Sequence, residues 1–228
     1  MRLQDMTWMD VESYLEQDDR IILITGATEQ HAYLSLLTDI LIPSRLALAA
    51  AERTGVLIAP ALNFGVSPLF AEFPGTISLS NETFSQVLVE TVQSLAYQGF
   101  RSFFVLNGHG GNKPPAALLD MARGDEIVFD WYDWWTSEAA RAFEAHSGLK
   151  VGHANWGENF PFVRVGDIPQ GDKEPVNLDQ IEERVPVRTI IGDGSFGGPY
   201  QVDDALMTLL FNTVVDEIAA RLAALHGA

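Results

Sequence analysis

Residues 21–31 read IILITGATEQH, an apolar run that stops at a polar turn. An unbroken apolar run rich in β-branched residues is typical of a strand buried on both faces of a parallel sheet. Three further runs, Val56–Ala59, Ser102–Leu106 and Ile127–Asp130, have the same character. The sequence therefore predicts a parallel sheet with residues 21–24 among its strands.

Helical patterns separate these runs. The predicted helices cover residues 7–17, 44–53, 81–98, 137–147 and 203–225, with a further helix opened by Pro114 and Pro115. Residues 76–79 are a candidate short strand, and polar residues 166–185 are predicted to be loop. Strands that alternate with helices imply right-handed βαβ units with helices packed on the sheet. The predicted fold class is α/β, and residues 1–228 are expected to form one domain.

Composition excludes several classes of protein. The 228 residues include 14 basic and 31 acidic side chains, a formal net charge of −17, and no cysteine. This charge repels phosphate backbones, so nucleic acid and anionic membranes are poor partners. The missing cysteines exclude disulfides and thiolate metal sites. We find neither a signal peptide nor a membrane-spanning run, and we expect a soluble, cytoplasmic protein.

Two predicted strands are followed by segments that contain histidine and carboxylate side chains. Glu29 and His31 follow the first run, with Asp39 a little later, and His109 lies in the glycine-rich turn after the run 102–106. Ligands of parallel α/β sheets bind outside the carboxyl ends of the strands. Histidine and carboxylate side chains are ligand types for a divalent metal.

A plainer interpretation exists for each of these residues alone, because a histidine after a strand is usually a hydrogen-bonded surface residue. Histidines and carboxylates at two strand ends together favour the metal site. A third segment, Gly152–Asn159, contains His153 and Glu158. Their spacing suits a turn better than a helix face, and the segment could add a further ligand and a general acid or base.

The chain resembles the creatininase (creatinine amidohydrolase) family. The resemblance runs through the segments 26–31, 38–39, 73–76, 107–112, 153–158 and 192–199. It implies a three-layer α/β/α fold with a mostly parallel central sheet, two divalent ions (zinc, manganese or iron) and a homohexamer. By position, Glu29, Asp39 and His109 would hold one ion. His31, Asp39 and Glu158 would hold the other, with Asp39 bridging.

The resemblance also implies a reaction, in which water activated by the two ions attacks a carbonyl carbon. His153 matches the family histidine that protonates the leaving group, and Glu158 is a second catalytic candidate. A structural role for His153 is the alternative. Some positions differ from creatininase itself, which has a glutamate where this chain has Gly111 and another where it has Gly152.

Aromatic residues are candidates for the substrate pocket. Trp156 lies inside the third motif, and Trp134 and Trp135 belong to a dense aromatic cluster. Tyr33 follows the first motif and is included as a substrate-binding candidate. Aromatic clusters are more often core or subunit contacts. Phe70 and Phe73, in the loop before Gly75, could belong to the same wall or to a neighbouring subunit's wall.

Three functions remain open at this point. The leading hypothesis is a metal-dependent amidohydrolase that opens or cleaves a small cyclic amide. The second is hydrolytic C–C cleavage of a cyclic diketone such as a keto-inositol, which uses the same attack on a carbonyl. The third is a non-catalytic metal-binding protein that kept the fold.

Overall fold

Four parallel strands form the central sheet of the structure, a computed structural model that describes residues 1–179 and 186–225. They are β1 (Arg20–Thr25), β2 (Leu57–Ile58), β3 (Ser102–Asn107) and β4 (Val128–Asp133), in the order β2-β1-β3-β4. Thr25 pairs with Asn107, so β1 and β3 end level with each other. The chain moves from β1 to β2 on one side and then crosses to β3 on the other. The switch point of the sheet therefore lies between β1 and β3.

Seven α-helices are assigned within the described ranges. They are α1 (Trp8–Leu15), α2 (Thr38–Thr54), α3 (Asn81–Gln98), α4 (Ala116–Arg123), α5 (Glu138–Ser147), α6 (Val187–Ile191) and α7 (Asp204–Ala224). A small antiparallel pair, β5 (Asp172–Lys173) and β6 (Gly198–Pro199), lies outside the main sheet. None of the helices in these ranges has the length and apolar character needed to cross a bilayer.

Side chains of the central strands alternate between two apolar cores. Ile22 and Ile24 of β1 point to the core formed with α2, α5 and α7. Ile21 and Leu23 point to the other core, formed with α1, α3 and α4. All four are nearly fully buried, as the unbroken apolar run predicted. The predicted three-layer α/β/α fold with a parallel sheet is confirmed.

Some predicted boundaries were wrong. Helix α2 begins at Thr38 rather than Ser44 and contains Pro43 in its second turn. Proline there cannot donate the usual hydrogen bond to the carbonyl four residues earlier, which is why the sequence pattern hid the helix start. Residues 76–79 make only isolated bridges. The predicted loop 166–185 contains β5, and its residues 180–185 lie outside the described residues.

Candidate metal centre

Two glycines open the crevice between β1 and β3. Gly26 follows β1 and Gly108 follows β3, and both contact the backbone of Asp39 in the first turn of α2. A Cβ atom would lie 2.2 Å from the Asp39 carbonyl oxygen at Gly26 and 2.0 Å from it at Gly108. Any side chain there would displace α2. Glycine at these two positions lets the helix start enter the switch point and carry Asp39 into it.

Asp39 lies between two imidazoles. His31 Nε2 is 2.9 Å from Asp39 Oδ1, and His109 Nδ1 is 2.9 Å from Asp39 Oδ2. The two carboxylate oxygens therefore face different histidines, one from the turn after β1 and one from the turn after β3. The Asp39 side chain is only 3% exposed. A carboxylate in this position is suited to bridge two cations.

Two glutamates complete the two halves of the cluster. Glu29 Oε1 lies 3.4 Å from His109 Nδ1, and Glu158 Oε2 lies 3.7 Å from His31 Nε2. Two groups of possible ligand atoms result, each with its atoms within 4.8 Å of one another. One group is Glu29, Asp39 and His109, and the other is His31, Asp39 and Glu158. These groups are the two ligand sets that the resemblance implied.

The backbone orients both imidazoles. His31 Nδ1 lies 3.2 Å from the carbonyl oxygen of Glu29, and His109 Nε2 lies 2.8 Å from the carbonyl oxygen of Val66. Each contact leaves the other ring nitrogen facing the carboxylates. Histidine ligands of metals are commonly held in this way, with the outer nitrogen donating to a carbonyl. The residue after His31, Ala32, has a φ of 50°, so the turn itself is strained.

Several buried polar atoms in the cluster lack a partner. Within the described residues, Glu29 Oε2, His31 Nε2 and Asp39 Oδ2 make no hydrogen bond of acceptable geometry. An unpaired buried polar atom is costly, and three within one cluster indicate a partner that accepts lone pairs. The nitrogen and oxygen donors fit zinc or manganese. The residues present therefore fit a pair of divalent cations.

The electrostatic field of the cluster also favours positive charge. Burial by itself lowers the pKa of His31, but the Asp39 carboxylate outweighs it and raises the pKa to about 10. Burial likewise opposes protonation of His109, and the adjacent carboxylates of Asp39 and Glu29 raise its pKa to about 11. Burial raises the pKa of Glu158 to about 7. A field that attracts a proton to each imidazole equally attracts divalent cations.

A cavity of about 660 Å³ opens beside the cluster. Its lining includes Glu29, Asp39, His109, His153 and Glu158. The rest of the wall is mainly apolar and includes Val66, Leu69, Phe70, Trp135, Val151 and Phe196. Lys113 is the only lysine or arginine of the lining among the described residues. A volume in this range holds a small organic molecule.

His153 is enclosed by aromatic rings at the edge of the cluster. The Phe70 ring stacks on it at a centroid distance of 4.4 Å, and the Phe196 ring lies at 4.9 Å. His153 Nδ1 is 3.7 Å from Glu29 Oε1. Burial lowers the pKa of His153 well below its usual value. The ring is therefore held beside the ligands as an uncharged group that also lines the cavity.

The structure brings together the five predicted ligands and His153, and it separates the predicted substrate residues. Trp135 lines the cavity, but Trp134 and Trp156 do not. Trp156 is fully buried, stacks on Phe143 and donates from Nε1 to the Lys150 carbonyl oxygen at 2.8 Å. Both tryptophans belong to the core on the α2 side of the sheet.

Tyr33 also lies away from the cavity lining. Its ring packs edge-on against Tyr200 at 5.8 Å. Of the two loop phenylalanines, Phe70 forms part of the wall, whereas Phe73 packs behind it at 6.2 Å. Tyr33 follows His31 by two residues, and the strained turn at Ala32 between them changes the direction of the chain.

Two residues that contact His153 had no role in the sequence analysis. Gln30 contacts His153 through a side-chain hydrogen bond of 2.7 Å, and Phe196 packs on the same ring. The only sequence signal for Phe196 was its position inside the glycine-rich run 192–199. Gln30 was visible only as the middle residue of the motif that contains Glu29 and His31.

These features define a three-layer α/β protein with a candidate two-metal centre at the switch point of its sheet. A family model described as Creatininase, creatinine amidohydrolase, matches residues 4–222. Because that match covers nearly the whole chain, the protein belongs to the creatininase family.

Individual relatives carry different activities in their names. A mycofactocin precursor peptide peptidase of Mycobacterium ulcerans is 38% identical over 215 residues, which cover 89% of this chain and 84% of that protein. The creatinine amidohydrolase of Pseudomonas putida is 30% identical over 115 residues, 47% of this chain and 44% of that protein. A 3-dehydro-scyllo-inosose hydrolase of Thermotoga maritima is 33% identical and covers 47% of this chain and 35% of that protein. The chain thus matches less than half the length of these last two relatives.

Solved structures show the same fold. A creatininase crystal structure superposes with a TM-score of 0.79 at 22% identity, over 98% of this chain and 96% of that chain. A putative creatinine amidohydrolase from Bacteroides fragilis gives a TM-score of 0.75 at 25% identity, over 97% and 94% of the two chains. Other creatininase structures similar to this chain are described as manganese and zinc-zinc forms.

Proposed function

We propose that this protein is a hydrolase that cleaves an amide C–N bond with the help of two divalent cations. The observation that supports this most directly is the pair of ligand groups that share Asp39 beside a cavity. Glu29, Asp39 and His109 would hold one cation, and His31, Asp39 and Glu158 the other. When bound, such a pair activates water and polarises a carbonyl group.

The residues of the chain orient the substrate and exclude water from the cluster. The apolar wall around the cluster lowers the local dielectric, which strengthens every electrostatic interaction with the substrate carbonyl. Two proposed catalytic groups, His153 and Glu158, line the cavity and can meet the departing nitrogen. The Ala154 N–H donates to Glu158 Oε2 at 2.6 Å and holds that carboxylate in place.

The lining of the cavity favours an amide with an apolar body. A cyclic diketone derived from an inositol carries several hydroxyl groups, and each would need a hydrogen-bond partner on burial. Phe70, Phe196 and Trp135 offer little of this kind. A cyclic amide, or an amide within a short peptide, places one polar group at the cluster and buries the rest. The single cation of the described lining, Lys113, could accommodate one carboxylate of such a substrate.

Metal loading and a substrate panel test the proposal. The zinc- or manganese-loaded protein is incubated with cyclic amides, short peptides and keto-inositols, and the products are followed by mass spectrometry. We expect a product heavier by one water from a cyclic amide, or two fragments from a peptide. An Asp39→Asn variant should be inactive on all of them.

Two outcomes would contradict the proposal. Cleavage of a keto-inositol alone would identify the C–C hydrolase instead. A protein that retains no transition metal after loading would rule out both metal-dependent hydrolase hypotheses.

A further inference from the structure

The geometry of His153 leaves its role ambiguous at first sight. With Glu29 and His31 it forms a third group of possible ligand atoms within 4.8 Å of one another. His153 could therefore ligate a cation through Nδ1, or it could keep a proton there and act on the substrate. The choice depends on which ring nitrogen carries the proton, and that depends on what the other nitrogen contacts.

The neighbour that decides is the side-chain amide of Gln30, which is buried and 5% exposed. Its Oε1 accepts a hydrogen bond from the Ala32 N–H at 3.1 Å. Its Nε2 donates to the Gly194 carbonyl oxygen at 3.1 Å. The reversed amide would set donor against donor at Ala32 and acceptor against acceptor at Gly194. Two backbone groups therefore fix which end of the amide is nitrogen.

The second N–H of that amide faces His153. Gln30 Nε2 lies 2.7 Å from His153 Nε2, so the imidazole nitrogen must accept the hydrogen bond. We propose that Gln30 is a positioning residue that holds His153 with its proton on Nδ1. That N–H faces Glu29 and the cavity, which makes His153 a hydrogen-bond donor to the substrate and excludes it from the metal ligands.

The surroundings prevent the pair from rearranging. Gly194 has a φ of +108°, and a Cβ atom there would lie 1.8 Å from Gln30 Oε1, so this position requires glycine for two reasons. The Phe70 ring covers one face of His153 at 4.4 Å. The Phe196 N–H donates to the His153 carbonyl oxygen at 3.0 Å. The glycine-rich segment 192–199 thus holds both the amide and the imidazole.

This assignment refines the proposed function. The role of the Nδ1–H as a donor to the substrate rests on that function. A protonated Nδ1 has no lone pair available for a cation, so the third ligand group is not used. A second proton on Nε2 would place two donors 2.7 Å apart, so the Gln30 contact opposes it. His153 then donates a hydrogen bond to the substrate amide instead of transferring a proton to the leaving group, the role that the family resemblance implied.

Nitrogen NMR tests the tautomer directly. The chain has five histidines, so ¹⁵N-histidine labelling gives a simple spectrum, and a His153→Gln variant identifies the His153 signals. In the unsubstituted protein we expect the protonated signal on Nδ1 and the unprotonated signal on Nε2. In Gln30→Glu the new carboxylate oxygen replaces the N–H donor that faces His153 Nε2. The proton should therefore move to Nε2, whereas the matched Gln98→Glu on the exposed end of α3 should change nothing.

Further measurements keep the inference falsifiable. Gln30→Met removes the donor at similar volume, and we expect the fixed tautomer to be lost there even if the glutamate variant fails to fold. In zinc-loaded protein, X-ray absorption should count one more imidazole ligand for Gln30→Glu than for the unsubstituted protein. A proton on Nε2 before substitution, or an unchanged tautomer in both Gln30 variants, would overturn the inference. Failure to bind zinc would refute only the proposed function, because the tautomer can be determined without metal.

Discussion

Asp39 connects the two halves of the proposed metal centre through its two oxygens, which lie 2.9 Å from His31 and 2.9 Å from His109. An amide at this position would present an N–H₂ group to one of the two cations and would remove the negative charge that both cations share. We therefore expect Asp39→Asn to bind neither cation, while Glu29→Gln and Glu158→Gln each lose mainly one. Elemental analysis after loading and desalting measures the metal content of each variant. Two ions retained by Asp39→Asn would show that the bridging assignment is wrong.

A second prediction at the residue scale concerns the glycine after β3. Gly108→Ala would place a methyl group 2.0 Å from the Asp39 carbonyl oxygen, a backbone atom that can move only with α2. We expect a loss of about 2 kcal/mol or more in the free energy of unfolding. The control is Gly124→Ala at the end of α4, where the nearest atom lies at 3.5 Å and the change should stay within about 0.5 kcal/mol. Urea unfolding monitored by circular dichroism compares the two, and equal losses would contradict the close-approach argument.

At the scale of secondary structure, sequence predicted the elements that bury apolar side chains on regular faces. The run at 21–24 became β1, and the segment 102–106 became β3. The start of α2 was missed because its first turn holds Asp39 and is followed by Pro43, neither of which belongs to an apolar helical pattern. The start of α2 is positioned by contact with Gly26 and Gly108, which follow β1 and β3. The local sequence pattern of α2 does not predict these contacts.

The candidate site, like the secondary structure, was predicted only in part. The candidate ligands were predicted because strand ends of a parallel sheet converge, and because these residues match a family motif. The residues of the cavity wall were not predicted. Trp134 and Trp135 are adjacent, but the short helical turn at 134–136 directs one into the core and the other to the cavity. Aromatic composition does not reveal that direction.

Besides its apolar packing, helix α1 is joined to the sheet by the hydroxyl group of Tyr14. Tyr14 donates to the Arg20 carbonyl oxygen at 2.7 Å and accepts from the Leu57 N–H at 3.2 Å, so it joins α1 to β1 and β2. Tyr14→Phe would leave a buried donor and a buried acceptor without this partner. We expect a loss of about 2 kcal/mol in the free energy of unfolding, measured in urea. Tyr97→Phe, at a side chain that is 94% exposed, should be neutral, and a similarly neutral Tyr14→Phe would contradict this role.

On the scale of the whole molecule, the net charge of −17 is distributed in two different ways. Glu29, Asp39 and Glu158 are buried and converge, whereas most acidic residues lie on the surface. Only the buried group can bind cations tightly, because surface carboxylates are well solvated and screened. Exposed apolar residues such as Leu36, Phe64 and Ile77 are available for subunit contacts, and the hexamer and the cytoplasmic location stay predictions.

Cation binding should therefore stabilise the whole fold, because the five proposed ligands come from the turns after β1 and β3, from α2 and from the segment around residue 158. A ligand that binds only the folded state at 100 times its Kd adds about 2.7 kcal/mol per site. For a domain of this size, two sites should raise Tm by roughly 10–20 °C. Differential scanning calorimetry with and without a chelator measures the shift. Asp39→Asn changes the net charge only from −17 to −16, so it keeps nearly all non-specific cation attraction and should show almost no shift. An equal Tm increase in that variant would place the stabilising cations on the acidic surface instead of in the cluster.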